Sequence, residues 1–222
     1  MTTILMLHGA RQTPDVWRAV SDSFPSEWAV VAPQLHGRKN LDAMNAASVH
    51  DLGQVLMQPP IVVVATGTGA VPAIEFCARN LGSGDIAGLL LAEPQIAVTP
   101  AAVHAARLAA AVHKDRSAPR SADGKFTNAR YTQRASYLQA LQGESMAQRA
   151  EELAAASLPV WILAAQKDRQ GMAGAREAQK VMPQAKFFEI AQAQADWNAY
   201  APRNFAANVL EFVHSIGAEH GA

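Results

Sequence analysis

The chain has 222 residues, 50% of them hydrophobic, with 19 basic and 19 acidic side chains and no formal net charge. That length suits one domain with a sizeable core, and the even charge balance gives no support for a nucleic acid or an anionic membrane as partner. No apolar run approaches the ~20 residues that a membrane span requires.

The first strand is Thr3-Ile4-Leu5-Met6-Leu7, running into His8-Gly9-Ala10. Met1 to Leu7 is too short and too uncharged for a signal peptide, so the cytoplasm is the expected location. Thr13 stands at an N-cap position, with Pro14 first in the helix and Val16, Trp17 and Val20 on its apolar face. Trp28 to Ala32 is the next strand, closed by Pro33. The segment from His36 to Asn40 reads as a loop, and Ser48 as the cap of a helix carrying Val49, Leu52, Val55 and Leu56.

Ile61-Val62-Val63-Val64-Ala65 has the composition of a buried parallel strand. The turn Thr66-Gly67-Thr68-Gly69 follows, and then a helix with Val71, Ile74 and Phe76 on its packed face. Cys77, the single cysteine, lies on that helix and reads as a small core residue; one cysteine excludes an intramolecular disulfide. Asp85 to Ala92 is another buried strand, ending at Glu93-Pro94. From about Ala97 to Ser157 the strand–helix rhythm gives way to alanine-rich helical sequence, interrupted by a polar loop from Ser117 to Lys125. It returns with the strand Pro159 to Ala164, a helix near Ala173 to Val181, the strand Lys186 to Ile190 and a final helix from about Pro202.

Alternating strands and helices imply a parallel sheet with helices on both faces, joined by right-handed crossovers. The expected fold is therefore α/β, a doubly wound, mainly parallel sheet of about six strands in a single domain, 1–222. The helical segment at about 97–157 is a cap insertion over the strand ends, the edge where open α/β sheets bind ligands.

The strand, sharp turn and helix around Gly67 resemble the G-x-S-x-G nucleophile elbow of the α/β-hydrolase superfamily. In that register Ala65 takes the first glycine position, Gly67 the serine position and Gly69 the last glycine position. Leu7-His8-Gly9 resembles the family's oxyanion loop, and Val30 to Gly37 its V-x-A-P-D-L-x-G turn, with Gln34 in place of Asp. Leu163 to Asp168 resembles the strand end that supplies the family's acid, and Asp196-Trp197 falls where the family has its histidine. The usual N-terminal antiparallel hairpin is missing from this pattern.

The resemblance implies a triad with two replacements, Gly67 for serine and Asp196 for histidine, and Asp168 retained. Covalent acyl transfer needs a hydroxyl or thiol and a base, and glycine supplies neither. Asp168 and Asp196 are the candidate catalytic residues, a carboxylate pair sharing a proton. His8, Gly9, Ala10, Thr66, Gly67 and Thr68 are the candidate oxyanion and pocket residues. The N–H groups of Ala10 and Thr68 are the candidate oxyanion donors. The register places Gly67 at the elbow tip, so Thr68 reads as a lining residue and not as a substitute nucleophile. His8 reads either as a catalytic group or as a shaper of its loop, and Glu93 either as a replacement acid or as part of the Pro94 turn. His104 and His113 are nine residues apart, which does not put them on one helix face for chelation. His50, His214 and His220 read as surface residues. Lys114, Arg116, Arg120, Arg130 and Arg134 read as a solvated face.

No GxGxxG, Walker, HExxH or CxxC motif is present, so no cofactor and no metal are expected. The expected partner is a small carbonyl-type molecule, with self-association left open. Three functions fit: a non-covalent acid–base enzyme of isomerase, cyclase or lyase type, a catalytically dead binding protein, or a residual hydrolase that uses water directly.

Overall fold

A computed structural model of the chain describes residues 2–35, 59–112, 131–142 and 146–220. The expected loop from His36 and the helix capped by Ser48 lie outside the described residues. So do His50, His113, Lys114, Arg116, Arg120, Arg130 and the polar loop from Ser117.

Six strands form one parallel sheet: β1 (Thr3–Leu7), β2 (Ala29–Val31), β3 (Ile61–Thr66), β4 (Ile86–Ala92), β5 (Val160–Ala165) and β6 (Lys186–Ile190), in the order β2-β1-β3-β4-β5-β6. The β-branched run of β3 is buried along its whole length, between β1 and β4. Alternate residues of each strand face opposite layers. On one face Leu5, Val63, Ala65, Leu89, Leu91 and Ile162 join a core with three helices, α2 (Ala70–Asn80), α5 (Ala147–Ala155) and α6 (Arg169–Val181). On the other, Ile4, Met6, Val62, Val64, Leu90 and Leu163 meet Trp17, Val20 of α1 (Arg18–Ser21), and Phe205, Val209 and Phe212 of α8 (Pro202–His220). Full burial of each such side chain contributes about 1.5–3 kcal/mol, which is why both faces of these strands read as continuous apolar sequence.

Two helices of the alanine-rich segment, α3 (Pro100–Val112) and α4 (Tyr131–Ala140), pack on each other near the carboxyl ends of the strands. The third, α5, packs beside α2, where Arg149 Nε donates to Glu75 Oε2 at 2.8 Å. Glu75 is held below the usual carboxylate range by its hydrogen bonds with Arg79 and Arg149, against the opposing effect of burial. Three local expectations need adjustment. Pro14–Trp17 is a 3-10 turn before α1, and the Thr13 hydroxyl donates to Asp15 Oδ2 at 3.2 Å instead of capping it. Helix α6 starts at Arg169, earlier than its apolar pattern suggests, because the Asp168 carboxylate accepts from Gln170 N at 3.0 Å and caps it. A short helix, α7 (Trp197–Tyr200), lies between β6 and α8, with Trp197 packed on Phe205.

Candidate functional site

The register Leu7↔Ala65, Thr66↔Ala92 and Ala92↔Leu163 aligns the carboxyl ends of β1, β3, β4 and β5 on one edge. The loops that follow carry Ala10, Gly67, Glu93 and Asp168, and the loop after β6 carries Asp196. Sheet geometry alone thus gathers residues from five loops. Among the described residues they line a cleft of about 560 Å³ with Gly9, Thr68, Arg134 and Leu138. A neighbouring cavity of about 520 Å³ shares Arg11, Arg134, Asp168 and Asp196 with it.

Gly67 stands at the tip of the turn with φ +54°, a conformation that L side chains rarely adopt. Gly69 has a different role. A Cβ there would lie 2.6 Å from Leu7 O and 2.8 Å from His8 O, so its absence lets α2 start against the end of β1. The Thr68 hydroxyl is turned inward, where it accepts from the Ala10 N–H at 2.8 Å. The expected oxyanion donor Ala10 is therefore already engaged by a neighbouring side chain.

His8 and Thr66 sit beneath the cleft. Leu35 N donates to His8 Nε2 at 3.2 Å, so Nε2 is unprotonated and Nδ1 carries the hydrogen, which it donates to Gly9 O at 2.9 Å. With both ring nitrogens engaged and no exposure, His8 shapes its loop. Thr66 Oγ1 donates to Gln12 Oε1 at 3.1 Å. Gln12 Nε2 reaches Asn198 Oδ1 at 2.9 Å and Asp196 Oδ1 at 3.3 Å. This buried amide network ties the loop after β1 to the loop after β6.

The two candidate aspartates line the same cleft and have different partners. Asp196, with its backbone at φ +58°, forms an ion pair with Arg11 as well as its bond from Gln12. Asp168 caps α6. A third carboxyl, Glu93, stands in their joint field. It is 8% exposed, its backbone is at φ +51°, and its Oε2 accepts from Asp196 N at 3.3 Å. Its Oε1 has no hydrogen-bond partner among the described residues. Burial first, then the charges of Asp168 and Asp196, raise the Glu93 pKa to about 8, against the lowering effects of the Asp196 N–H and Arg11. The proton therefore belongs on Oε1, since Oε2 is already an acceptor. Gly171 leaves room for this cluster: a Cβ there would lie 2.5 Å from Asp168 Oδ2 and 3.1 Å from Glu93 Cβ.

Arg134 is the clearest departure from the sequence reading. It lines both cavities from α4, half-buried, with its Nε buried and unpartnered among the described residues. Burial, then the charge of Arg11, push its pKa down. Tyr137 of the same helix is fully buried, and its hydroxyl donates to Thr68 O at 3.4 Å, docking α4 on the elbow. Exposed His104 on α3 and His214 on α8 take no part in the cleft lining. Among the described residues no group of three or more His, Cys, Asp or Glu side chains could hold a metal ion, and no helix is long and apolar enough to cross a membrane.

A parallel sheet with a glycine-tipped elbow after a central strand, and polar loops gathered at the carboxyl edge, defines an α/β fold whose chemistry belongs at that edge. The chain belongs to the alpha/beta hydrolase family, whose sequence profile matches residues 4–208. Similar solved structures include a carboxylesterase from the thaumarchaeon Nitrososphaera gargenis, at TM-score 0.75 and 12% identity, covering 98% of this chain and 92% of that one. MenH from S. aureus is similar at TM-score 0.73 and 14% identity, with 97% and 94% covered. The enol-lactonase of Burkholderia xenovorans LB400 is similar at TM-score 0.70 and 15% identity, with 96% and 91% covered. At these identities the likeness is one of fold. No curated protein matches the sequence significantly.

Proposed function

We propose that this chain is a non-covalent acid–base enzyme acting on a small carbonyl compound, held under a cap formed by α3 and α4. In this reading the family's triad is degenerate, with Gly67 in the place of the serine and Asp196 in the place of the histidine. The observation that carries it is Glu93: a buried carboxyl at the cleft, one oxygen bonded to the loop of Asp196 and the other unpartnered. Its raised pKa keeps it protonated at neutral pH, as a general acid requires. Glu93 gives its Oε1 proton to the carbonyl oxygen, and Asp168 takes a proton from the adjacent carbon or from an attacking water. Asp196, paired with Arg11, holds the Glu93 loop in place and adds to the field on its carboxyl. Proton transfer from carbon gives an enol and hence isomerase, cyclase or lyase chemistry. Activation of water gives hydrolysis without a covalent intermediate, the branch that the esterase and lactonase among the similar structures suggest.

A panel of small ketones, keto acids and lactones incubated with the protein in D₂O tests the proposal by NMR. Deuterium uptake beside the carbonyl, or ring opening, is expected to persist after fluorophosphonate treatment. It is expected to drop ~100-fold or more in Glu93→Gln, the scale of a lost general acid. Turnover is also expected to decline as pH rises through about 8, where Glu93 loses its proton. Unchanged turnover in Glu93→Gln would remove Glu93 from the chemistry.

One observation favours a second reading, a binding protein without catalysis. The Ala10 N–H is occupied by the Thr68 hydroxyl, which leaves that oxyanion donor engaged. Binding of panel members with no turnover of any of them is the outcome that selects this reading.

A further inference from the structure

The second cavity has a charge pattern that acid–base chemistry at Glu93 does not use. Arg11, Arg134 and Lys167 face it, together with Asp168 and Asp196. Asp196 is taken by Arg11, and Asp168 caps α6. Neither Arg134 nor Lys167 forms an ion pair among the described residues. While Glu93 keeps its proton, three cations stand against two aspartates, and one positive charge is left over.

That excess belongs with Arg134. A guanidinium is costly to bury without an acceptor, and its Nε is buried and unpartnered. Burial, and then the field of a second guanidinium, Arg11, disfavour its charge, and Tyr131 and Asp196, the latter already paired with Arg11, offset this only in part. Tyr137, anchored to the elbow three residues further on, holds α4 so that Arg134 cannot simply swing away with a loose helix.

We propose that Arg134 is the anchor of an anion subsite in the cavity next to Glu93, and that the ligand is a carbonyl compound bearing a single carboxylate. The planar fork of arginine matches a carboxylate in two parallel hydrogen bonds. One unbalanced positive charge suits a monoanion better than a phosphate dianion. The substrate class rests on the reading of Glu93 as the proton donor, whereas the anion subsite stands on Arg134 alone.

Isothermal titration or NMR shift titration at pH 7 and low salt, with 4-oxopentanoate, 2-pentanone and inorganic phosphate as probes, tests this. A charge-assisted pair of this kind is worth ~10–100-fold in affinity. The keto acid is expected to bind at least ~10-fold tighter than the ketone, and tighter than phosphate. Arg134→Gln is expected to remove that advantage and leave the ketone unchanged, and Arg134→Lys to restore part of it. Glu93→Gln, which is expected to lower turnover ~100-fold or more, should keep the ratio of keto-acid to ketone affinity within about twofold of wild type, so loss of catalysis and loss of the subsite are told apart. Equal binding of keto acid and ketone, tighter binding of phosphate, no binding of either carbonyl probe, or an Arg134→Gln variant with wild-type affinity would each overturn the proposal.

Discussion

Glu93 should leave a signature in stability as well as in rate. Its folded pKa of about 8 lies above the ordinary value of 4.5, so between those limits the folded chain holds a proton that the unfolded chain has released. Stability contributed by that proton is fully present below about 4.5 and is lost as pH rises to about 8, after which the curve is flat. The loss is on the order of a few kcal/mol, because the side chain is almost fully buried. Glu93→Gln cannot ionise and should escape it. Thermal melts are expected to show the variant gaining several degrees over wild type at pH 8.5 and no comparable gain at pH 4.5. A difference that stays constant with pH would mean that Glu93 is ionised in the folded protein. Sequence alone raises Glu93 as a possible acid because it ends a strand at the ligand edge. It cannot reveal that residues 75 and 103 positions later bring two aspartates to bear on it.

The elbow tests why its two glycines are there. Gly67 needs glycine for its positive φ, but a Cβ at that point meets only Gly9 Cα, at 3.8 Å. Gly67→Ala should therefore cost only the left-handed backbone strain, about 1–2 kcal/mol in urea denaturation. Gly69→Ala forces a Cβ into the carbonyls of Leu7 and His8 and should cost more, reaching or exceeding the ~1–3 kcal/mol of overpacking. The reverse order would mean that the turn, and not the close approach of α2 to β1, sets the requirement. Gly67→Ser restores a hydroxyl at the tip, yet it is not expected to give burst hydrolysis of p-nitrophenyl acetate. His8 already accepts a backbone N–H at Nε2, and Asp196 is paired with Arg11, so among the described residues of the cleft no free imidazole waits to take the serine proton. A burst from that single change would show that another base is in reach. This element is the most legible part of the sequence, because a β-branched run, a glycine turn and an amphipathic helix each carry a local signal. Arg11 and Gln12 carry none: they follow His8-Gly9-Ala10 in a loop, and their importance arises from contacts with residues 185 and 184 positions away.

Across the whole molecule, the layered sheet is read from apolar runs, whereas the parts lying over its edge are read poorly. Alanine-rich helices give weak patterns, so nothing in the sequence separates α5, which packs beside α2, from α3 and α4, which lie by the cleft. Arg134 reads as solvated for the same reason: its helix has a polar composition, and it is the burial of Ala135, Tyr137 and Leu138 that shows which way α4 sits. The difference in burial predicts a difference in dynamics. Strands β3 and β4 are covered on both faces, and their amides should exchange only through global unfolding. Helix α3 buries little beyond Val103 and Ala106 and leaves Leu108 and Val112 exposed, so its hydrogen bonds should open locally. Helix α4 stands between these cases, fixed by Tyr137 against the elbow. Hydrogen–deuterium exchange is expected to rank protection as β3 and β4, then α4, then α3. Tyr137→Ala should bring α4 down to the level of α3 while the strands keep their rank, because the contact it removes joins α4 to the elbow and not to the sheet. Protection of α4 that survives this change would show that some other contact docks the helix, and the positioning of Arg134 would then have to be traced to that contact instead.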